Sequence, residues 1–258
     1  MNKMDQIINK LKTQCLAISS SYRPKIIFVG GIPGSGKDLL VEKSKLFFKN
    51  DSFYVIDVDL FRSYFSNYSK VEDTVTLSNR IEMELLNFLI ENKKNIILVG
   101  TLRAYSYLNK IIIERIIPSG YEIFFHLLVT NQIESTLSAY ERYVIDKQNG
   151  ASFPRLSRLE YIEKSYNGFH NSINKYSEND YFSNNKLFIR GDNRSLPIEL
   201  EYAGDINNAI MNEELRQLMN ISNQSILDRI DNISMCLESS DEINEFKNIC
   251  NKILIKKI

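Results

Sequence analysis

The segment that most constrains the fold lies near the N-terminus, where an apolar run, a glycine-rich turn and a helical pattern follow one another. Residues 26–29 are wholly apolar, residues 31–37 fit the spacing G-x-x-x-x-G-K, and a helical pattern starts at residue 37. In such a turn the backbone N–H groups point inward around phosphate oxygens, and the following helix adds its positive dipole end. The segment predicts a nucleoside triphosphate site formed by Gly31, Ile32, Pro33, Gly34, Ser35, Gly36, Lys37 and Asp38.

Apolar runs alternate with helical patterns along most of the chain, which is typical of βαβ units. The further predicted strands lie at residues 53–56, 96–99, 123–129 and 187–189. The predicted helices lie at residues 3–19, 37–49, 77–92, 104–117, 131–147 and 157–176. Because the strands are apolar throughout, both faces of the sheet are expected to be buried. The pattern predicts an α/β fold, with a P-loop NTPase-type parallel sheet of about five strands flanked by helices.

The pattern changes after Gly191, where we predict helices at residues 205–220, 223–237 and 241–257 and no further strand. We divide the chain into an N-terminal helix (1–24), an α/β domain (25–200) and a helical C-terminal extension (201–258). The extension is expected to pack on the core and close it. The alternative is a docking surface for a partner.

Composition and charge exclude several classes of protein. The 32 basic side chains balance 32 acidic ones, and no basic stripe marks a nucleic-acid surface. No apolar run approaches the ~20 residues that span a bilayer, and the first 21 residues lack a signal-peptide pattern. Cys15, Cys236 and Cys250 show no metal-ligand spacing, which favours reduced, structural cysteines. We therefore predict a cytoplasmic protein without membrane or nucleic-acid partners.

Two acids, Asp57 and Asp59, follow the second predicted strand. Ligands of open parallel sheets bind beyond the carboxyl ends of the strands, which places these acids near the phosphate loop. Strand periodicity puts both carboxylates on one side. Either could accept the proton of an attacking hydroxyl in phosphoryl transfer, or both could simply cap the strand end.

Asp38 stands where the motif ordinarily has a Ser or Thr that ligates Mg²⁺. A carboxylate can also ligate Mg²⁺, but it adds negative charge beside the triphosphate. Asp38 is thus a metal ligand in a working site, a group that weakens nucleotide binding, or an acid that the helix dipole favours without contacting metal.

Arg142 lies towards the end of the predicted helix 131–147, and Arg155 follows residues 148–154, a stretch rich in loop-forming residues. Planar guanidinium groups can bridge the equatorial oxygens of a transferring phosphoryl group. A mobile segment that carries an arginine over the phosphates would be a lid.

Five segments, in order over roughly residues 25–195, resemble the zeta toxin family of P-loop kinases from bacterial toxin–antitoxin systems, which are similar to UDP-N-acetylglucosamine kinase. They are the phosphate loop, residues 55–62 (VIDVDLFR), Ser78-Asn79-Arg80 at the start of the next predicted helix, residues 99–103 (VGTLR), and Glu141-Arg142-Tyr143 with Arg155 beyond it.

The resemblance implies a P-loop kinase domain at residues 25–200 that uses Mg²⁺ and transfers the γ-phosphate of ATP or GTP. The acceptor would be a hydroxyl of a nucleotide sugar such as UDP-N-acetylglucosamine, and a cognate antitoxin protein would block the nucleotide site. The implied roles are a general base at Asp59, charge neutralisation by Lys37, Arg142 and Arg155, and substrate binding by Arg62, Thr101 and Arg103.

Two positions that read the substrate in the family differ here. Val99 stands where the family has an acid, and Met83, flanked by Glu82 and Glu84, aligns with another. The sequence therefore leaves open a kinase for another small acceptor, such as a nucleotide or dinucleotide. It also leaves open a degenerate nucleotide-binding protein that acts through partner binding.

Overall fold

The computed structural model describes residues 3–62, 64–65, 71–150, 154, 156–157, 159–191, 195–237, 241–244 and 246–248, with the backbone alone for Lys3, Arg62 and residues 71–75. The strands are β1 (Lys25–Gly30), β2 (Phe53–Asp57), β3 (Asn95–Gly100), β4 (Glu122–Leu128), β5 (Asn185–Ile189) and β6 (Ile198–Leu200). The helices are α1 (Lys3–Leu16), α2 (Lys37–Leu46), α3 (Val58–Arg62), α4 (Val71–Glu91), α5 (Tyr105–Ile111), α6 (Gln132–Gln148), α7 (Leu159–Tyr176), α8 (Ile206–Asn220) and α9 (Asn223–Cys236).

The strands of the described residues form one sheet in the order β2-β3-β1-β4-β5-β6. The first five are parallel, as predicted, and β6 pairs antiparallel with β5. The prediction of no further strand after Gly191 is wrong, because β6 is a three-residue edge strand with Ile198 largely exposed and lacks the buried apolar run that marks the other strands. The α/β fold class is confirmed, with a mixed and mostly parallel sheet of six strands.

The central strand β1 lies between β3 and β4, so the chain leaves β1 in one direction and later returns to its other side. Ligands of open α/β sheets bind at such a reversal of strand order. Gly30, the last residue of β1, pairs in register with Gly100 of β3 and Leu127 of β4. The phosphate loop therefore starts at the centre of the sheet.

Both faces of the sheet are buried, which explains the uninterrupted apolar strands. Ile26 and Phe28 of β1 belong to a large cluster that also contains side chains of α1, α4, α5 and α7. Ile27 and Val29 point to the opposite face, where Leu40 of α2 covers them. Because α2 begins directly after the loop, this packing fixes the axis of the helix whose N-terminus faces the site.

Two predicted boundaries are wrong. Helix α4 begins at Val71, so Ser78-Asn79-Arg80 lies inside a helix instead of at its start. Helix α3 begins at Val58, directly after β2, so Asp59 lies in a helical turn and strand periodicity does not relate it to Asp57. The predicted helix 104–117 is present, but its last part, Ile112–Ile116, is a π-helical turn.

The C-terminal helices contact different parts of the molecule. Ile206 and Ile210 of α8 belong to the large core cluster, whereas Ile226 and Ile230 of α9 pack against α6. Of the predicted helix 241–257, residues 241–244 and 246–248 are helical and the rest lies outside the described residues. The three-part division of the chain stays a prediction. In the described part of the chain, no helix combines the length and the apolar content that crossing a membrane requires.

Candidate functional site

A cleft of about 2780 Å³ opens at the carboxyl ends of the parallel strands. Its walls come from the phosphate loop, the segments after β2, β3 and β5, and one side of α4 and α6. The predicted site residues that line it are Pro33, Gly34, Ser35, Gly36, Lys37, Asp38, Asp59, Thr101, Arg103 and Arg142. Gly31 and Ile32 are buried at the base of the loop.

The phosphate loop needs glycine at two positions of positive φ, Gly34 at +80° and Gly36 at +96°. At Gly34 a side chain is excluded twice, because a Cβ would also lie 2.3 Å from the carbonyl oxygen of Ser135 on α6. The hydroxyl of Ser135 in turn donates to the carbonyl oxygen of Pro33. The loop is therefore in direct contact with α6 at Pro33 and Gly34.

Lys37 folds back over the phosphate loop. Its ammonium group donates to the carbonyl oxygens of Gly31 at 2.9 Å and Ile32 at 3.1 Å. The charge thus lies at the base of the loop, on the chain that forms the cradle. The ammonium group is therefore already held beside the loop before a phosphate binds. A lysine that binds phosphate as a point charge requires this position.

Arg190, which follows β5 and lines the cleft, is bonded to the loop. Its guanidinium donates to the carbonyl oxygens of Gly34 at 2.6 Å and Ser35 at 2.8 Å. These two bonds tie the loop to the end of β5. Sequence reasoning missed this residue, although its position directly after a predicted strand was a usable signal, because carboxyl ends of parallel strands share one edge of the sheet.

The two acids after β2 occupy different positions. The backbone N–H of Asp59 donates to Oδ1 of Asp57 at 2.9 Å, so Asp57 caps the first turn of α3. Burial raises the pKa of Asp57, the charge of Asp59 raises it further, and the Asp59 amide and Lys37 oppose the rise. One oxygen of Asp57 is therefore committed to the first turn of α3, whereas Asp59 lies in the turn that faces the cleft.

Among the described residues, no group of three or more His, Cys, Asp or Glu side chains forms a ready-made metal site. Mg²⁺ in phosphoryl-transfer sites needs less, since one or two carboxylates and the substrate phosphates suffice. Asp38 is exposed in the first turn of α2 and lines the cleft with Asp57. These two carboxylates beside the loop fit such an open donor set.

Glu82 is a cleft residue that the sequence left unassigned. It lies on α4, and burial together with the charge of Asp57 raises its pKa to about 7. Glu84, two residues on, instead pairs with Lys12 of α1 at 3.0 Å. The helix therefore turns one of the two acids beside Met83 into the cleft and the other away from it.

The segment after β3 is shaped by close packing on two sides. Leu102 has a φ of +52°, unusual for a residue with a side chain, and fills the space above Gly30, where a Cβ would lie 2.4 Å from its Cδ1. The guanidinium of Arg103 lies 4.6 Å from the centre of the Tyr161 ring on α7. Thr101 and Arg103 are thus presented to the cleft by a turn with little freedom.

Arg142 on α6 lines the cleft, and its Nε is buried without a hydrogen-bond acceptor among the described residues. A buried guanidinium N–H that lacks an acceptor is costly, and an anion in the cleft would lower that cost. Arg155 and the side chain of Arg62 lie outside the described residues, so the predicted lid and the substrate role of Arg62 stay predictions.

Comparison with known proteins gives one family and several solved structures. The family model described as Zeta toxin matches residues 9–200, more than half of the chain. The structure of the PezAT chromosomal toxin–antitoxin system of Streptococcus pneumoniae matches with a TM-score of 0.67 and 20% identity, covering 90% of this chain and 95% of that one. No curated protein matches the sequence.

Two structures of the AvrRxo1-ORF1:ORF2 complex match more distantly. The native complex has a TM-score of 0.59 and 11% identity, and covers 98% of this chain and 85% of that one. The complex with ATP has the same TM-score and identity, with 97% and 84% covered. At these identities, the similarity to all three structures establishes the fold.

Proposed function

Because the chain belongs to the zeta toxin family, we propose that it is a nucleotide-dependent kinase that phosphorylates a hydroxyl group of a nucleotide sugar or a similar small metabolite. The observation that carries the proposal is that Lys37, Asp59 and Arg142 line one cleft with the phosphate loop. Triphosphate binding, proton acceptance and charge neutralisation are the parts that phosphoryl transfer needs, and it needs them within a few ångströms.

In the proposed reaction the inward N–H groups of the loop and the ammonium of Lys37 hold the β- and γ-phosphates of ATP or GTP. Asp59 accepts the proton of the acceptor hydroxyl as its oxygen attacks the γ-phosphorus. The guanidinium of Arg142, joined in this proposal by Arg155, neutralises charge on the equatorial oxygens. Asp38 and Asp57 would hold Mg²⁺, which would supply further neutralisation of the phosphate charge.

The acceptor in this proposal lies between α4 and the segment after β3. Thr101 and Arg103 offer a hydroxyl and a guanidinium there, with Arg62 as a further proposed ligand. Glu82, with its pKa raised to about 7, can either donate or accept a hydrogen bond near neutral pH. A sugar hydroxyl suits such a group, because it can serve as the complementary partner in either state. Val99 and Met83 remove two acids that the family has, which favours an acceptor whose hydroxyl pattern differs from that of UDP-N-acetylglucosamine.

We propose a protein antitoxin as the partner of this chain. The PezAT structure is that of a toxin–antitoxin system, and it covers 90% of this chain. An antitoxin that covers the nucleotide cleft would silence the kinase without unfolding it. The proposed location is the cytoplasm, because ATP and nucleotide sugars are made and used there.

The test is phosphate transfer in vitro. The purified chain is incubated with Mg-ATP or Mg-GTP and a panel of nucleotide sugars, nucleotides and dinucleotides, and mass spectrometry detects the gain of one phosphate. Lys37→Ala should abolish transfer and relieve growth inhibition on expression. Lys49→Ala, which changes an exposed lysine outside the cleft, is the matched control.

The outcomes separate the alternatives. Transfer to a nucleotide or dinucleotide alone would replace the nucleotide-sugar class with another acceptor class. Unchanged transfer in Lys37→Ala would contradict the assignment of the phosphate loop. If the unaltered chain neither binds Mg-ATP or Mg-GTP nor transfers phosphate, the kinase proposal is wrong. The remaining alternative is then a protein with a degenerate nucleotide site that acts through partner binding.

A further inference from the structure

We infer that helix α9 of the C-terminal extension is a positioning element of the nucleotide site, in which Arg229 acts through Glu134 and Arg190 to hold the phosphate loop in its binding shape. The inference rests on the proposed function for the identity of the ligand. The part of the inference that concerns the shape of the loop does not depend on the proposed function.

The first link joins β5 to the loop. Arg190 donates from Nε to the carbonyl oxygen of Ser35 and from one terminal nitrogen to that of Gly34. These peptides lie 155 and 156 residues away in sequence. The fork geometry of a guanidinium fixes both carbonyls in one plane, so the orientation of Arg190 sets the orientation of two peptides of the loop.

The second link orients Arg190. Its other terminal nitrogen donates to Oε1 of Glu134 at 2.5 Å and to the hydroxyl of Ser138 at 2.9 Å. Glu134 lies in the first turn of α6, where Asn131 caps the helix by accepting from the Glu134 amide. The carboxylate is therefore attached to a helix end, and each of the three guanidinium nitrogens of Arg190 donates at least one hydrogen bond.

The third link comes from α9. Arg229 donates to Oε2 of Glu134 at 2.6 Å and forms two bonds with the carboxylate of Glu141, at 2.6 and 2.9 Å. A further bond reaches the hydroxyl of Ser138 at 3.2 Å. One carboxylate, that of Glu134, is thus clamped between two guanidinium groups, one on the loop side and one on the C-terminal side.

The clamp has an electrostatic consequence for a triphosphate. Glu134 and Glu141 both line the cleft, and without Arg229 the Glu141 carboxylate would lose two hydrogen bonds while that of Glu134 would be neutralised by Arg190 alone, so the negative charge facing the ligand would increase. With Arg229 bound, the net negative charge of these two carboxylates is lower, and the bond to Oε2 restrains rotation of the Glu134 carboxylate that Arg190 contacts. Loss of Arg229 should therefore weaken nucleotide binding both by repulsion and by a looser loop.

A separate apolar contact keeps α9 in place. Ile226, Ile230 and Ile233 of α9 are buried in a cluster with Ile133 and Leu137 of α6. This contact does not involve the charged groups. Removal of the Arg229 charge should therefore leave α9 docked, which separates positioning from folding.

The first experiment measures amide hydrogen exchange in the ligand-free protein. In Arg229→Gln we expect the amides of residues 34–37 to exchange faster by about 3- to 30-fold, the range expected for one residue of a coupled network. The amides of β1 and of α9 should be unchanged. Asp228→Asn, at an exposed neighbour on the same helix, is the matched control. Unchanged exchange in the loop would overturn the inference whatever the ligand does.

The second experiment is calorimetric titration with Mg-ATP. Arg229→Gln should raise the Kd by a similar factor of about 3 to 30, and Arg229→Lys, which keeps the charge but not the fork, should fall between it and the unaltered chain. The steady-state KM for nucleotide should rise while that for the acceptor stays constant. An unchanged Kd, or equal rises in both KM values, would contradict positioning.

The two proposals fail differently. If loop exchange rises in Arg229→Gln but the unaltered chain binds no Mg-nucleotide, the positioning role stands and the proposed function is wrong. If phosphate transfer is observed and loop exchange is unchanged, the proposed function stands and the role of α9 is wrong.

Discussion

At the scale of single residues, the cleft concentrates carboxylates around one lysine. Asp38, Asp57, Asp59 and Glu82 all line the cleft that contains Lys37. The raised pKa values of Asp57 and Glu82 reflect burial first and charge repulsion second, from Asp59 on Asp57 and from Asp57 on Glu82. Such a group of acids repels the negative charge of a triphosphate, unless a bound metal ion neutralises the carboxylates or a carboxylate acts as a base in the reaction. Each acid is therefore open to a separate test.

Asp59→Asn should lower the rate of phosphate transfer by at least the ~10²-fold typical of losing a general base, with Mg-ATP affinity retained. The physical reason is that the amide cannot accept the hydroxyl proton. Asp57→Asn should instead alter Mg²⁺ affinity or the first turn of α3, because Asp57 accepts the Asp59 amide. Single-turnover rates with both variants check this. A silent Asp59→Asn beside an inactive Asp57→Asn would reverse the assignment.

Asp38→Thr tests whether the site works with its unusual acid. If Asp38 ligates Mg²⁺, the variant should bind metal-free nucleotide more tightly, because charge repulsion is removed; for two unit charges 4 Å apart this is ~1 kcal/mol in water and ~4 kcal/mol at an effective dielectric of 20. Mg-nucleotide affinity should stay within several-fold. Calorimetry of both proteins, with Mg²⁺ and with chelator, measures all four affinities. Four equal values would mean that Asp38 contacts neither phosphate nor metal.

Glu82 gives a prediction about pH and stability. Its pKa is about 7 in the folded chain against 4.5 as the ordinary value. The folded state thus holds the proton more tightly, so the stability that the protonated carboxyl contributes is present below pH ~4.5 and lost as the pH rises to about 7. Glu82→Gln keeps a neutral side chain, so its advantage over the unaltered chain should grow to roughly 2–3 kcal/mol by pH 8. Urea unfolding at pH 5, 6, 7 and 8 measures it, and a gap independent of pH would contradict it.

At the scale of elements, the site depends on two close approaches of helices to loops. The phosphate loop packs at Gly34 against the backbone of Ser135 on α6. The segment after β3 packs at Arg103 against Gly168 on α7. A Cβ at Gly168 would lie 2.7 Å from Cβ of Arg103, an atom next to the backbone that cannot move aside alone. Helix packing thus determines where both loops face the cleft.

Gly168→Ala should therefore push the Arg103 segment from α7. The clash should outweigh the roughly 1 kcal/mol that alanine adds to a helix, for a net destabilisation on the order of 1–2 kcal/mol. The KM for the acceptor should rise more than that for nucleotide. Asn167→Ala, at an exposed neighbour on the same helix, should only gain helix propensity. Thermal unfolding and steady-state kinetics of both variants decide, and a stabilised Gly168→Ala would show that the contact yields freely.

At the scale of the whole molecule, the sequence predicted what local patterns determine. The phosphate loop and the five parallel strands are local, because glycine spacing and buried apolar runs are visible within a few residues. The helical position of Asp59 was missed because α3 follows β2 without a loop. Arg190 and Arg229 were missed because their partners are 52 to 156 residues away and no periodicity reports such pairs, although the position of Arg190 directly after a predicted strand was a signal for that residue. The predicted roles of Arg155 and Arg62 stay predictions.

The bond between Arg190 and the loop also fixes an order of assembly during synthesis. The loop sequence is translated early, yet the groups that hold its carbonyls lie 155 and 156 residues later, and those that hold α6 against it extend to Arg229. Contacts so distant in sequence form late in folding, after the chain between them has been made. A nascent chain that stops before residue 190 would carry the complete motif without the residue that anchors it. We therefore expect the phosphate loop to be the first part of the site to be translated and among the last to reach its folded conformation.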